Sequence, residues 1–346
     1  MEFTKFVEEM ENKIKLYLSE EYENAKVLVE EHQKINSSYV GLSVHKENQN
    51  ITPTINLNQI YEKFQNEPQM TMETILKQTA EVIEEASTQF DISNIMDYEH
   101  AKDQLFIRVS SADRNENLLK KIPHQFQDDL VITYHVAVDM NQEGMGSTTV
   151  TNDMLKNYGI TLEQLHADAM ENSPKMMPVH VAIMGSVVQQ LVGGGPEEML
   201  HDGTPENIAE IVAESVRVND PMVIVTNQQM MNGASAIFYP GVMEQISEGL
   251  QGDFFILPSS THEVLIVADD GNFDYPSLKD MVQQVNASEV SPEERLADDV
   301  YHYDSKDHVF ERADRFATRM HEKELQMAKE QKMTRPKRKS HDMELS

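Results

Sequence analysis

Residues 252–269, GDFFILPSSTHEVLIVAD, constrain the fold of this chain more than any other stretch. Two apolar runs, 254–257 and 264–268, flank a polar turn containing Ser259, Ser260, Thr261, His262 and Glu263. Short runs of Phe, Ile, Leu and Val separated by turn-forming residues read as neighbouring strands. An antiparallel sheet is therefore expected in the middle of the chain, with the polar turn at one end of it.

The rest of the pattern surrounds that sheet with helices. Phe3, Phe6, Val7, Met10, Ile14 and Leu18 recur at helical spacing and predict an amphipathic helix. Strands at 27–29, 39–44 and 51–57 and helices at 59–64 and 72–86 then complete an N-terminal α+β module over residues 1–90. A second, larger α+β module is expected over 100–310. Its strands are read at 105–109, 130–138, 148–151, 179–184, 222–225 and 234–239, with an edge strand at 300–303. Asn152 and Gly159 punctuate one short helix, and Thr161 with Gln164 forms a capping box for a helix ending near Pro174. Further helices are read at 242–250, stopped by Gly252, and around Leu278, Met281, Val282 and Val285. Gly193, Gly194 and Gly195 open an exposed excursion. From Val309, the spacing of Phe310, Ala313, Phe316 and Met320 predicts a C-terminal helix, which with a basic tail fills 311–346. The fold class is α+β, two modules of mostly antiparallel sheet with packed helices.

Charge narrows the partners. The 59 acidic and 29 basic residues give a formal net charge of -30, which disfavours direct nucleic-acid binding and anionic lipid. The exception is the cluster Lys332, Arg335, Lys337, Arg338 and Lys339, read as a solvated terminus. No run approaches the roughly 18 apolar residues of a membrane helix, and the acidic N-terminal segment does not read as a signal peptide. The sequence contains no cysteine, which suits a reducing, cytoplasmic setting.

Four separated blocks carry a family resemblance: IPHQFQDDLVITYHVAVD at 122–139, VTNDMLKNYGITLEQLHADAMENSP at 150–174, the 252–269 stretch, and VYHYDS at 300–305. Together they resemble the uncharacterised proteins grouped as domain of unknown function 5688, a likeness that spans nearly the whole chain and implies no activity. A more distant similarity of layout to the YtpQ-like proteins implies fold alone.

Chemistry is less legible. No segment has the spacing of a nucleophile elbow, a phosphate loop or a metal site, so no catalytic residue, metal ligand or cofactor is assigned. Ser259, Ser260, His262 and Glu263 combine hydroxyls, imidazole and carboxylate, and they are the candidate binding residues. A hairpin turn with local hydroxyl-to-backbone bonds is the plainer account of the same residues. His166 with Asp168, His201 with Asp202, and His302 with Asp304 are the other His–acid neighbours. The 22 methionines, Met176, Met177, Met230 and Met231 among them, suit either core filling or an adaptable binding surface, and exposure separates the two uses. The reading is a cytoplasmic, non-catalytic protein that binds a protein partner of unknown identity. Its alternatives are a hydrolase using Ser260 or a His–Asp metal pair, and an acidic decoy of a nucleic-acid-binding protein.

Overall fold

Three antiparallel sheets organise the chain, which is described for residues 1–47, 52–89, 93–141, 144–193, 207–258 and 260–334 in a computed structural model. Helix α1 (Phe3–Lys13) leads into β1 (Lys26–Lys34), β2 (Ser37–His45) and β3 (Thr54–Asn56), followed by α2 (Leu57–Asn66) and α3 (Met72–Gln89). Phe6, Met10 and Ile14 of the amphipathic N-terminal segment pack with Leu42, Leu57, Leu76 and Ile83 in a core of their own. Burial of these side chains, worth about 1.5–3 kcal/mol each, holds the segment on the first sheet.

Short helices α4 (Ser93–Met96) and α5 (Tyr98–Ala101) precede β4 (Leu105–Ser111), and α6 (Glu116–Leu119) precedes β5 (His124–Gln127). With β6 (Leu130–Asn141) and β7 (Gly144–Thr149), these strands make the second sheet, in which β6 pairs with β4, β5 and β7. Helices α7 (Asn152–Tyr158) and α8 (Leu162–Met176) follow. Gly159, at φ 67, stops α7, and the Thr161 hydroxyl accepts from the Gln164 N–H to start α8. The cap of α7 is Thr151, one residue earlier than expected, and Pro174 lies inside α8. There the missing N–H forfeits the bond to the Met170 carbonyl, but only two helical residues follow, so a kink displaces little of the helix.

The third sheet has the order β13-β12-β10-β11-β9-β8. It comprises β8 (Val179–Ile183), β9 (Met222–Asn227), β10 (Phe254–Leu257), β11 (Val264–Ala268), β12 (Tyr301–Asp304) and β13 (Val309–Arg312). Between them lie α9 (Met184–Gly193), α10 (Ile208–Arg217), α11 (Val242–Leu250) and α12 (Tyr275–Ser288), and α13 (Ala313–Thr334) comes last. Phe254 and Ile256 enter the main core, while Phe255 and Leu257 pack on Leu278 and Val282 of α12. A strand covered on both faces needs an unbroken apolar run, which explains FFIL.

Four local expectations are corrected. Residues expected to form a strand at 234–239 form a 3₁₀ helix, Gly233–Phe238, all six of them buried. An apolar run with no polar face gives no period by which to tell the two apart. Val309 begins a strand rather than a helix, and β13 makes β12 an interior strand. The left-handed residue ending α11 is Gln251, not Gly252. Most of the expected glycine-rich excursion lies outside the described residues, as does the basic cluster from Arg335 onward.

Two arginines dock β13 and α13. Arg312 meets Asp129, Asp299 and Asp314, and Arg319 meets Asp304, Asp307 and Glu311. Among the described residues, no helix is long and apolar enough to cross a membrane.

Candidate functional site

Strand pairing gives the second sheet two unlike faces. Leu105 lies opposite Val136, Ile107 opposite Tyr134 and Val109 opposite Ile132. Directly opposed residues share a face, and all six join the main core. The other face holds Phe106 opposite His135, Arg108 opposite Thr133, and Thr149 on the far side of His135. Along β6 it reads Val131, Thr133, His135, Ala137. Val131 belongs to an apolar cluster with Leu118, Leu119 and Ile122, and Ala137 to one with Phe106 and Met177. A buried polar strip is left between two apolar patches.

Arg108, His135, Ser147 and Thr149 on this face floor a cleft of about 530 Å³. Its walls come from segments far apart in sequence: Lys34, Ile35 and Ser37 at the β1–β2 turn, Asn232, Thr261 and His262, and Glu293 with Glu294. The hairpin tip is fixed by Asn36, whose side-chain NH₂ donates to the carbonyls of Glu293 and Arg295 at 3.0 and 2.9 Å. Asn36 has φ 61, a left-handed conformation that asparagine tolerates better than most residues.

Arg108 is the unusual member of the floor. Its Nη2 donates to the Ser147 hydroxyl at 3.1 Å, and its guanidinium lies 5.3 Å from the Phe106 ring centroid. Its Nε is buried without a hydrogen-bond partner. Among the described residues no carboxylate pairs with it, and burial pushes its pKa down to about 10. His135 beside it is 1% exposed. Burial and the Arg108 charge hold its pKa well below the ordinary imidazole value. The Thr133 hydroxyl donates to the Arg108 carbonyl at 3.4 Å and so accepts from His135 Nε2 at 2.9 Å. His135 Nδ1 then accepts from Thr149, 3.4 Å away. Ser110, on the same face, is fully buried with its hydroxyl unpartnered.

The residues singled out in the sequence divide. Ser260 donates to Glu263 Oε1 and accepts from the His262 N–H, both at 2.9 Å, which is turn chemistry. The His262 ring turns elsewhere: Nδ1 accepts from the Asn232 N–H at 3.2 Å, and Nε2 lies 3.4 Å from Glu294 Oε1. The Ser260 hydroxyl and the imidazole therefore do not meet. Thr261 and His262 reach the cleft, and Ser259 lies outside the described residues.

The His–acid pairs also separate. His302 Nε2 faces Asp269 at 3.0 Å and its ring stacks on Phe316 at 3.6 Å, whereas Asp304 takes Arg319. His166 Nδ1 meets the Tyr134 hydroxyl at 3.0 Å, while Asp168 accepts from Tyr98 and Gln164. His201 and Asp202 lie outside the described residues.

From the sequence alone, Arg108, Thr133 and His135 read as strand residues only. The available signal is alternation: Arg108 and Ser110, and Thr133 and His135, stand two positions apart within mostly apolar runs. The profile of a family of unknown function, DUF5688, matches residues 3–305. No curated protein and no solved structure matches the chain.

Proposed function

The chain belongs to the DUF5688 family, and we propose that it is a non-catalytic binding protein whose protein partner inserts a polar segment into the cleft over the second sheet. The observation that carries this reading is the pairing of half-buried Arg108 with buried His135 in the lining of a cavity. Burying a polar group costs about 1–3 kcal/mol unless it is hydrogen-bonded. Arg108, in the cleft lining, has a buried Nε with no acceptor among the described residues, and an occupant of the cleft can supply one.

The cleft volume of about 530 Å³ falls within the usual range for ligand sites, roughly 300–1,000 Å³. The rim favours a protein as occupant. Met230 and Met231, 55% and 42% exposed, precede Asn232 in the cleft wall. Exposed methionines adapt to varied apolar surfaces. We place the partner in the cytoplasm, the compartment that suits a chain without cysteine.

Affinity capture with the full chain, beside Glu293→Lys, tests the reading. Glu293 is an exposed rim residue, so the variant reverses a charge at the cleft mouth without emptying the core. A protein retained by the parent chain and lost by the variant, at unchanged thermal stability, is the expected result. A partner held equally by both places binding elsewhere and overturns the cleft assignment.

A further inference from the structure

We infer that Arg108 is the anchor for an oxyanion, a carboxylate or phosphate group carried by whatever occupies the cleft; the inference rests on the binding reading above and adds the chemical class of the ligand.

The first ground is the contrast between arginines of the same chain. Arg312 and Arg319 each contact three carboxylates. Arg108, half-buried like them, contacts none among the described residues, although the sequence supplies 59 acids. Buried charges are ordinarily paired, because an isolated ion in a low-dielectric setting is costly. A counter-ion brought by a ligand completes the pair in the bound state.

Geometry supplies the second ground. The guanidinium beside Phe106 has its plane and direction restricted by the ring and by Ser147. One donor is spent on Ser147, while Nε remains unspent. A guanidinium presents its donors in a fixed fork matched to the paired oxygens of carboxylate or phosphate. Ser147, already accepting from Arg108, keeps its own hydroxyl proton for a second bond to the same group.

The third ground selects among anions. Glu293 and Glu294 line the cleft mouth and are exposed, while Lys34 lies on the hairpin wall. An acidic lip repels extended polyanions but admits a single oxyanion attached to a neutral or cationic body. A peptide carboxylate or an isolated phosphate ester fits this arrangement, and a nucleic-acid backbone does not.

The test is thermal unfolding of the purified full chain at constant ionic strength, with chloride replaced in turn by acetate, phosphate or sulfate. Acetate represents a carboxylate source and phosphate a phosphorylated one. The expected result is a Tm rise of about 2–4 °C with at least one oxyanion over chloride. The rise should be absent in Arg108→Met, which should itself unfold at a higher temperature than the parent in chloride because the unpaired charge is gone. The Nε–H signal of Arg108 should also shift on adding the stabilising anion to the unmutated protein, a readout independent of any variant's folding.

An equal rise in Arg108→Met, or no rise and no Nε–H shift with any of the three anions, overturns the assignment. A partner captured by the parent and lost by Glu293→Lys, with no anion response, would leave the binding reading standing and remove Arg108 as its anchor.

Discussion

Asn36 and Asn115 hold each other by two reciprocal hydrogen bonds. The Asn36 backbone N–H donates to Asn115 Oδ1 at 2.7 Å, and Asn115 Nδ2 donates back to Asn36 Oδ1 at 2.8 Å. Asn115 is 3% exposed, and the same NH₂ also donates to the Ser111 carbonyl. The tip of the first sheet's hairpin is thus fixed directly to the segment that follows β4. Ile35 packs beside it on the cluster of Leu118 and Val131.

Removing either side chain should be costly and non-additive. Asn36→Ala and Asn115→Ala should each destabilise by about 2–3 kcal/mol, since each leaves buried groups unpaired. A double-mutant cycle in urea should return a coupling of about 1 kcal/mol or more. Asn36→Gly, which relieves the left-handed backbone but not the lost bonds, should recover only part of the loss. Additive effects would show that the pair does not fix the hairpin.

His135 should make the protein acid-sensitive. Its pKa in the folded chain is held well below the ordinary 6.5 by burial and by Arg108. The unfolded chain therefore takes up a proton that the folded chain refuses. The stability from neutral His135 is complete above the unfolded value and falls as pH drops below 6.5, by at most about 1.4 kcal/mol per pH unit. Unfolding measured over that window should be less pH-dependent in His135→Asn than in the parent. Matching slopes would contradict the burial of a neutral imidazole.

Gly233→Ala should damage the wall of the cleft. A Cβ there would lie 2.1 Å from Thr226 Oγ1 and 2.6 Å from both the Asn227 nitrogen and the His262 carbonyl oxygen. Two of those atoms are backbone and cannot turn aside, so the loss should reach about 1–3 kcal/mol or more. Heteronuclear NMR should show shifts spreading to His262. A change confined to residues adjoining Gly233 in sequence would mean that the close approach is relieved locally.

Arg319→Met should loosen α13 from the third sheet. Asp304 and Glu311 would lose their guanidinium partner while 7% and 14% exposed, at about 2–4 kcal/mol. Burial raises the pKa of Asp304, but the N–H groups of Asp307 and Lys306 and the Arg319 side chain more than offset this, leaving it below 3.8. Its contribution is present above that value and is lost as pH falls through the lower, folded value. The variant should therefore show a shallower loss below about pH 3.8, together with earlier proteolysis of the last helix. Unchanged proteolysis would show that Phe316 on His302 suffices to hold it.

The two halves of the reading were unequally legible. Runs such as FFILP and VLIVA state their strand character locally, because a strand buried on both faces admits little else. The 3₁₀ turn at Gly233–Phe238 does not, since in ASAIF one serine among apolar residues sets no period, and its conformation is set by β9 and His262 packed around it. α9 and α10 also escaped notice, lying on either side of the polar and glycine-rich stretch between them. The polar turn at Ser260 and His262 was visible as composition, but its hydrogen bonds divide it between a turn and a cleft wall. Arg108 and His135 are 27 positions apart in number, and only the β4–β6 register, setting Arg108 opposite Thr133 and His135 opposite Phe106, makes them neighbours. Register is a tertiary choice that no local window contains.

The bond from Asn36 to the Glu293 carbonyl spans 257 residues. Closing a loop that long is slow compared with forming a hairpin or a helix. During synthesis the first sheet and its core can assemble early, yet the cleft has no far wall until residues near 295 have left the ribosome. A nascent chain interrupted before that point would present the Arg108 strip open to solvent. Occupancy of the cleft would then report that the chain has been made and folded through residues 293–295.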